Sequence, residues 1–156
     1  MIYGWDKVER VFAEPNWPDL LAEHHAEMGG LPPDPDYERA IQSERNNYYR
    51  VWTAREDGLL VGYNGWHNLF HIHYKSTLHA ADDLFLLSAP YRRGLAGYAM
   101  IARCLPALRD IGVQRVVMQN VVAWDRARSA QGLPTMDLIF KRLGFDLADQ
   151  LWVRDF

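Results

Sequence analysis

The chain has 156 residues, a formal net charge of −3 and a hydrophobic fraction of 49%. These values are typical of one folded domain, and the slightly acidic balance excludes broad binding to duplex nucleic acid, which requires an extended basic surface. The single cysteine, Cys104, excludes an internal disulfide, and the lack of a long apolar run or a leader-like segment predicts a cytoplasmic protein without a membrane partner.

The N-terminal third of the chain predicts one strand followed by two helices. Apolar residues within 1–14 favour a strand: Val8, Val11 and Phe12. An apolar stripe predicts a helix over about 17–28, and Asp34 or Asp36 can cap a second helix over about 35–45.

The middle of the chain predicts a series of strands. Residues 48–54 form the first, and the turn at 56–58 reads Glu-Asp-Gly, which is typical of a tight hairpin. The returning strand begins at Leu59. Alternating side chains then predict a strand over 66–74, and residues 83–87 form the next one.

The last third of the chain continues with interleaved helices and strands. The elements follow in this order: a helix over 95–111, a strand over 113–119, a polar loop over 121–134, a helix from Thr135 and a strand over 147–154. Such interleaving predicts the α/β class with a mixed sheet.

The most informative segment connects the last strand of the middle region to the helix after it. It carries Arg92, Arg93, Gly94 and Gly97, so an apolar strand runs through a basic turn with glycines into a helix. Such a turn directs backbone N–H groups at one point, and the helix N-terminus adds partial positive charge. A guanidinium group can donate two parallel hydrogen bonds to the oxygens of one phosphate. The segment therefore predicts a cradle for a ligand that carries a pyrophosphate.

This segment resembles the acyl-coenzyme A binding motif of the GNAT acetyltransferase superfamily, Gln/Arg-x-x-Gly-x-Gly/Ala, followed two residues later by an aliphatic pair. Aligned on Arg92, the motif places Gly97 on its last small position and Leu95 on its middle glycine. The aliphatic pair is then Met100-Ile101. A frame shifted by one residue puts small residues on both glycine positions but a tyrosine on the basic one: Gly94, Ala96 and Tyr91. We prefer the first frame because it keeps Arg92 and Gly97.

Two further segments extend the resemblance over most of the chain. Residues 139–145 look like the GNAT signature Leu-Tyr-x-x-Leu-Gly-Phe, which ends the last helix and leads into the last strand. Residues 73–80 together with Asp83 resemble a small GNAT branch that is common in tailed phages and prophages. The resemblance implies a GNAT fold, with a central mixed and twisted sheet flanked by helices, in a single domain over residues 1–156.

The resemblance also implies how acetyl-coenzyme A binds. The main chain of the strand end pairs with the pantetheine arm: Phe85, Leu86 and Leu87. The amides of the turn hold the pyrophosphate, assisted by the two arginines: Arg92, Arg93, Gly94, Leu95, Ala96 and Gly97. An N–H group near Leu87 stabilises the oxyanion of the reaction, and Phe140 occupies the signature position next to the coenzyme.

Histidines are the leading candidates for the proton acceptor that an amine substrate requires. His67, His71 and His73 share one face of the predicted strand, where a His-x-His pair could chelate zinc. No cysteine or carboxylate stands at ligand spacing beside them, so we expect no metal. Histidines titrate near neutrality, which suits a general base. His73 is the first candidate and Asp83 the second, because GNAT bases usually stand at the sheet edge that leads into the central strand.

The general acid of many GNAT enzymes has no counterpart at its usual position. There, the tyrosine of the signature protonates the departing thiolate, whereas this chain has Phe140. Tyr98, Tyr91 or water can take this role, or the thiolate leaves unassisted, since thiols are acidic compared with alcohols and amines. A protein without catalytic activity is the remaining alternative.

Three other features are expected to have less specific roles. Cys104 lies on the cradle helix and is expected to be an inert core residue, and the His24-His25 pair is expected on a helix surface. The acidic residues of the two N-terminal helices are expected to be mostly solvated. In GNAT folds, however, these helices line the acceptor site, where acids favour a cationic substrate.

These inferences predict an N-acetyltransferase that transfers the acetyl group of acetyl-coenzyme A to a primary amine by direct attack. The acceptor is a protein lysine, a protein N-terminus or a small molecule, and the sequence leaves this choice and a homodimer open. The phage resemblance implies the host cytoplasm and a host or phage macromolecule as target. The alternative, favoured by Leu95 and Phe140, is a catalytically weak or inactive GNAT-fold module with a structural, regulatory or host-interaction role.

Overall fold

A computed structural model describes residues 1–29, 32–119 and 135–148. The chain forms two compact units, residues 1–119 and residues 120–156. The strands are β1 Ile2–Asp6, β2 Tyr49–Glu56, β3 Leu59–His71, β4 Tyr74–Leu87 and β5 Arg115–Val117. The helices are α1 Val8–Phe12, α2 Trp17–Met28, α3 Tyr37–Arg45, α4 Ala96–Asp110 and α5 Met136–Arg142. A single domain over residues 1–156 stays a prediction.

The described strands form one sheet in the order β1-β2-β3-β4-β5. The first four strands are antiparallel to their neighbours, whereas β5 runs parallel to β4. Between β2 and β3, the turn residues Asp57 and Gly58 both have positive φ, which is the geometry of the predicted tight hairpin. The mixed sheet predicted from the sequence is thereby confirmed.

Apolar side chains cover both faces of the sheet, so helices pack on each side. On one face, α4 contributes Met100, Cys104 and Leu108 to a core with sheet residues such as Trp52 and Trp66. On the other face, α1 and α2 pack against the sheet. The helices and the strands together contribute these buried residues to the second core: Val8, Val11, Trp17, Leu20, Tyr49, Val51, Leu60, Tyr63 and Leu86. The sheet is therefore held between two apolar layers.

The first predicted strand is partly wrong, because residues Val8–Phe12 form the helix α1. Val8 and Val11 are three residues apart, which places them on one side of a helical turn, and both side chains are fully buried. This spacing fits the helical period better than the two-residue period of a strand. The strand before it, β1, ends at Asp6.

The strand predicted over 66–74 is also wrong in its extent. β3 ends at His71, a two-residue turn holds Ile72 and His73, and β4 begins at Tyr74. The strand predicted at 83–87 is thus the last part of a 14-residue strand.

The helices that the sequence predicts at 17–28, 35–45 and 95–111 are confirmed within one or two residues. Asp36 caps α3, since its side chain accepts a hydrogen bond from the Arg39 N–H. β5 is shorter than predicted. No helix in the described residues is long and apolar enough to cross a membrane.

The second unit is described over residues 135–148. Thr135 caps α5 by accepting a hydrogen bond from the Leu138 N–H, which confirms the predicted helix start. The predicted loop at 121–134 lies outside the described residues, and so does most of the strand predicted at 147–154.

Candidate active site

The most distinctive feature of the sheet is the separation of β4 from β5. These strands pair only from His79 to Ala81, opposite 115–117. β4 then continues to Leu87, and within the described residues no strand pairs with this last part on the β5 side. We call residues 82–87 and the gap beside them the fork. A fork of this kind leaves main-chain groups of a central strand free to bind a ligand.

The orientation of the main chain at the fork follows from one hydrogen bond. The Ser88 N–H donates to the Val61 carbonyl oxygen on β3 at 2.8 Å. Since the amides of a strand alternate in direction, the N–H and C=O groups of Leu86 face β3, and those of Phe85 and Leu87 face the fork. The main chain of Phe85 and the Leu87 N–H thus face the open edge, whereas the Leu87 carbonyl accepts a hydrogen bond from Arg92 and Leu86 buries its side chain in the core.

The turn after β4 leads directly into the N-terminus of α4. A short 3-10 turn, Ala89–Tyr91, is followed by Gly94 with φ of +58°, and α4 begins at Ala96. The Ala96 N–H donates to the Arg93 carbonyl at 3.2 Å, whereas the N–H groups of Gly97 and Tyr98 have no acceptor within the helix and are available to an anion. An added Cβ at Gly94 or at Gly97 would meet no atom within 4 Å, which shows open space on this side of the turn. The predicted cradle is therefore present as a local structure.

Arg92 does not extend freely from this turn. Its Nη2 lies 2.6 Å from Glu27 Oε1 and 3.2 Å from Glu23 Oε1, and its Nε donates to the Leu87 carbonyl. Both carboxylates belong to α2. The expected role of Arg92 as a direct phosphate ligand therefore lacks support from its geometry. Arg93, in contrast, is exposed beside the turn.

Glu23 ties α2 to the turn through further hydrogen bonds. Its Oε2 accepts from the Ser88 hydroxyl and its Oε1 from the Ala89 N–H, both at 2.7 Å. The sequence predicted acidic residues near the acceptor side of the fold, but their pairing with the cradle turn was missed. The spacing of Glu23 and Glu27, four residues apart on a helix, was the available signal.

A polar cluster lies on the α2 side of the sheet and consists of Tyr49, His67 and Asp83. The Tyr49 hydroxyl donates to Asp83 Oδ2 at 3.1 Å, and His67 Nε2 lies 3.6 Å from Asp83 Oδ1. The rings of Tyr49 and His67 meet edge to face. Burial, together with the Asp83 carboxylate, raises the pKa of Tyr49, so its hydroxyl remains a donor. Asp83 and His67 are both partly exposed and can contact a substrate.

A second hydrogen-bonded pair adjoins this cluster. His24 Nδ1 lies 3.0 Å from the Tyr63 hydroxyl, and both side chains are buried. The sequence-based expectation that His24 lies on a helix surface is therefore wrong. Burial lowers the pKa of His24 and raises that of Tyr63, so both groups favour their neutral forms.

The structure does not bring His73 together with Asp83. His73 lies in the turn before β4, and Leu87 is the last residue of that strand. At about 3.3 Å per residue, the strand from Tyr74 to Asp83 spans roughly 30 Å. His73 is thus remote from the fork, which contradicts its choice as first candidate for the base. Within the described residues, no group of three or more potential metal ligands is present.

The remaining candidates have mixed positions. Tyr98 lies half-buried in the first turn of α4, beside the cradle. Cys104 is fully buried, and burial raises the pKa of its thiol, which confirms an inert core residue. Phe140 lies on α5 in the second unit, where its ring packs against Phe145.

Comparisons with known proteins establish the fold. Scans of family models and of curated proteins gave no match. Among solved structures, the chain is similar to a ribosomal-protein-alanine N-acetyltransferase from Brucella melitensis, with a TM-score of 0.66, 15% identity and full coverage of both chains. It is also similar to an aminoglycoside acetyltransferase from an uncultured soil metagenomic sample, solved with sisomicin: TM-score 0.67, 18% identity, 99% of this chain and 93% of that one.

A third similar structure is a predicted acetyltransferase from Clostridium acetobutylicum, solved with acetyl-CoA. Its TM-score is 0.63 and its identity 11%, over 99% of this chain and 95% of that one. At such identities the likeness concerns the fold. In its described part, this chain has the mixed, helix-flanked sheet of the GNAT acetyltransferases.

Proposed function

We propose that this chain is an N-acetyltransferase that transfers the acetyl group of acetyl-coenzyme A to a primary amine. The observation that carries the proposal is the continuous path from the fork, through the glycine-bearing turn, to the N-terminus of α4. A thioester with a long amide-bearing arm and a pyrophosphate matches these groups in order.

The coenzyme is held mainly by the main chain. Phe85 presents its N–H and C=O groups to the pantetheine arm, as a neighbouring strand would, whereas the Leu87 carbonyl is held by Arg92 and only the Leu87 N–H faces the ligand. The Gly97 and Tyr98 amides of α4, with Gly94 and Gly97 leaving room for close approach, receive the pyrophosphate. Arg93 adds positive charge at the exposed side of the turn.

The reaction is a direct attack. The amine nitrogen forms a bond to the thioester carbon, the oxyanion accepts a hydrogen bond from the Leu87 N–H, and the C–S bond then breaks. The proton that the attacking amine nitrogen loses passes to Asp83, directly or through water. The thiolate takes a proton from Tyr98, Tyr91 or water. His67 and Tyr49 keep the Asp83 carboxylate in place.

The acceptor class is a primary amine on a protein or on a small molecule. Two structural neighbours act on different amines, a ribosomal-protein alanine and an aminoglycoside, and the fold accommodates both. Arg92 carries one positive charge, whereas Glu23 and Glu27 of α2 place two carboxylates beside it. The excess of negative charge favours a cationic acceptor. The phage association, which comes from the sequence resemblance, and the cytoplasmic location, which comes from composition, both remain proposals.

Phe140 favours a second candidate function, a binding module with little or no turnover. The signature tyrosine that would protonate the thiolate is absent at this position. Such a module would bind acetyl-coenzyme A through the same fork and cradle. The two candidates therefore differ in turnover and agree in coenzyme binding.

One experiment separates these functions. Calorimetric titration with acetyl-coenzyme A measures binding, and release of free thiol in the presence of a panel of amines measures turnover. Binding with amine-dependent thiol release supports the enzyme. Binding with no release by any amine supports the module, and absence of binding at millimolar coenzyme contradicts both.

A further inference from the structure

Asp82 occupies the base of the fork. The last residue pair between β4 and β5 is Ala81 with Val117, and Asp82 is the next residue of β4. Its Oδ1 accepts a hydrogen bond from the Gln119 N–H at 2.8 Å. A side-chain carboxylate thus holds the segment that leaves β5, where the main-chain pairing of the two strands has ended.

The position of this bond within β4 is unusual because an irregularity follows it directly. On the β3 side, Trp66 pairs with Asp82 and Asn64 pairs with Phe85, so β4 carries an extra residue between these pairs. Asp82 therefore stands between the regular ladder and the bulge that precedes Phe85. Fixing Asp82 to Gln119 fixes where the two strands start to diverge.

The surroundings of Asp82 give little compensation for its charge. Its charged neighbour is Asp83 on the same strand, Trp66 faces it from β3, and the Gln119 amide approaches from beyond β5. Burial, with a smaller contribution from Asp83, raises the pKa of Asp82 from 3.8 to about 6. A carboxylate retained in such a place is more typical of a functional site than of a stabilising surface pair.

We propose that Asp82 is a positioning residue whose bond to Gln119 sets the opening of the fork for the pantetheine arm. The inference rests on the proposed coenzyme binding. The bond ties the β5 side of the fork to β4 without occupying the Phe85 and Leu87 amides. An ionised carboxylate is a stronger acceptor than a neutral one, so the ionised form holds the fork most firmly.

The test uses three variants of the full chain. Asp82→Asn keeps a neutral acceptor, Asp82→Ala removes the acceptor, and Asp110→Asn is a matched control at an exposed carboxylate at the end of α4. Two quantities are measured between pH 5 and pH 8: the amide proton chemical shift of Gln119 by NMR, and the Kd of coenzyme A. Comparing variants at each pH cancels the titration of the coenzyme itself.

We expect the Gln119 amide shift to titrate near pH 6 in the wild type and in Asp110→Asn, and to be flat in Asp82→Asn. The wild type should bind coenzyme A a few times more tightly than Asp82→Asn at pH 7.5 and equally at pH 5. Asp82→Ala should bind about tenfold more weakly than the wild type at pH 7.5.

A Gln119 amide that does not titrate in the wild type would overturn the inference, whatever the coenzyme does. Asp82→Ala or Asp82→Asn with wild-type affinity at pH 7.5 would overturn it too, while coenzyme binding itself stands. A wild type that binds no coenzyme overturns the proposed function and this inference together. Because Asp82→Asn preserves the shape of the side chain, the affinity comparison survives even if Asp82→Ala does not fold.

Discussion

The Tyr49 hydroxyl donates a hydrogen bond of 3.1 Å to the Asp83 carboxylate, although the two residues lie on opposite sides of β3. The tyrosine stands on β2 and the aspartate on β4, and the ring crosses β3 at Gly65. The polar cluster thus depends on one strand position that carries no side chain.

Gly65→Ala should therefore damage the cluster. The new Cβ would lie 2.1 Å from the Tyr49 hydroxyl oxygen, so the ring must move and its bond to Asp83 is lost. We expect a loss of about 1–3 kcal/mol in the free energy of unfolding, measured by urea denaturation, and a fall in turnover. Gly4→Ala on β1 is the control, since its Cβ would meet nothing within 4 Å. Equal stability of the two variants would contradict the close approach.

Asp83→Asn should remove the proposed proton acceptor. We expect turnover to fall about 10²–10⁴-fold while the Kd of acetyl-coenzyme A changes little. His73→Ala should retain nearly full turnover, because His73 lies in the turn at the far end of β4. Steady-state kinetics of the two variants would decide, and the opposite pattern would return His73 to the mechanism.

Gly97→Leu should block the cradle without unfolding the protein. The space beside Gly97 is open in the fold, so the Cβ of the new leucine meets no protein atom. The leucine side chain instead fills the space that a bound phosphate would need. Acetyl-coenzyme A should raise the melting temperature of the wild type by mass action and leave that of the variant unchanged. Gly97→Ala should give an intermediate shift. A full shift for Gly97→Leu would place the pyrophosphate elsewhere.

Arg92→Ala should weaken coenzyme binding indirectly. Without the guanidinium, Glu23 and Glu27 keep their negative charges beside the turn and repel phosphates. Adding Glu27→Gln to Arg92→Ala should then recover part of the affinity, measured by calorimetry. If Arg92 bound a phosphate directly, Arg92→Ala would instead cost as much affinity in the Glu27→Gln background as in the wild type, so the comparison with Glu27→Gln alone is decisive.

Asp82 should also shape the pH dependence of stability. Because burial raises its pKa from 3.8 to about 6, the folded state binds the proton more tightly than the unfolded state. Stability from this group therefore increases as the pH falls through 6 and levels off below about 4. Asp82→Asn removes this dependence. Urea denaturation at pH values from 7 to 4 should show the free energy of unfolding of the wild type rising, relative to that of Asp82→Asn, by up to about 3 kcal/mol.

The sequence was sufficient for the elements that depend on local signals. The cradle helix, the cap of α3 at Asp36 and the hairpin at Asp57-Gly58 each have a turn, cap or apolar stripe within a few residues. The order of strand, basic turn and helix was predicted as well, while coenzyme binding at this turn stays a prediction. Local chemistry determines these features, so one sequence shows them.

The polar cluster could not be predicted in the same way. Tyr49 and Asp83 are 34 residues apart, and their contact depends on the register of three strands and on a bulge in β4. His73 was misplaced because the turn at 72–73 contains no Gly, Pro or Asn, so the alternation of apolar and polar residues continues through it. Arg92 has the residue type of a phosphate ligand, but only the packing of α2 shows its carboxylate partners.

Under the proposed function, the bonds from α2 to the turn link the two substrates thermodynamically. An acceptor ammonium that draws Glu23 or Glu27 toward itself weakens their hold on Arg92, Ser88 and Ala89, which shape the coenzyme turn. By linkage, the coenzyme must change the affinity for the acceptor by the same factor as the acceptor changes the affinity for the coenzyme. In an enzyme built this way, one helix makes the binding of either substrate depend on the other.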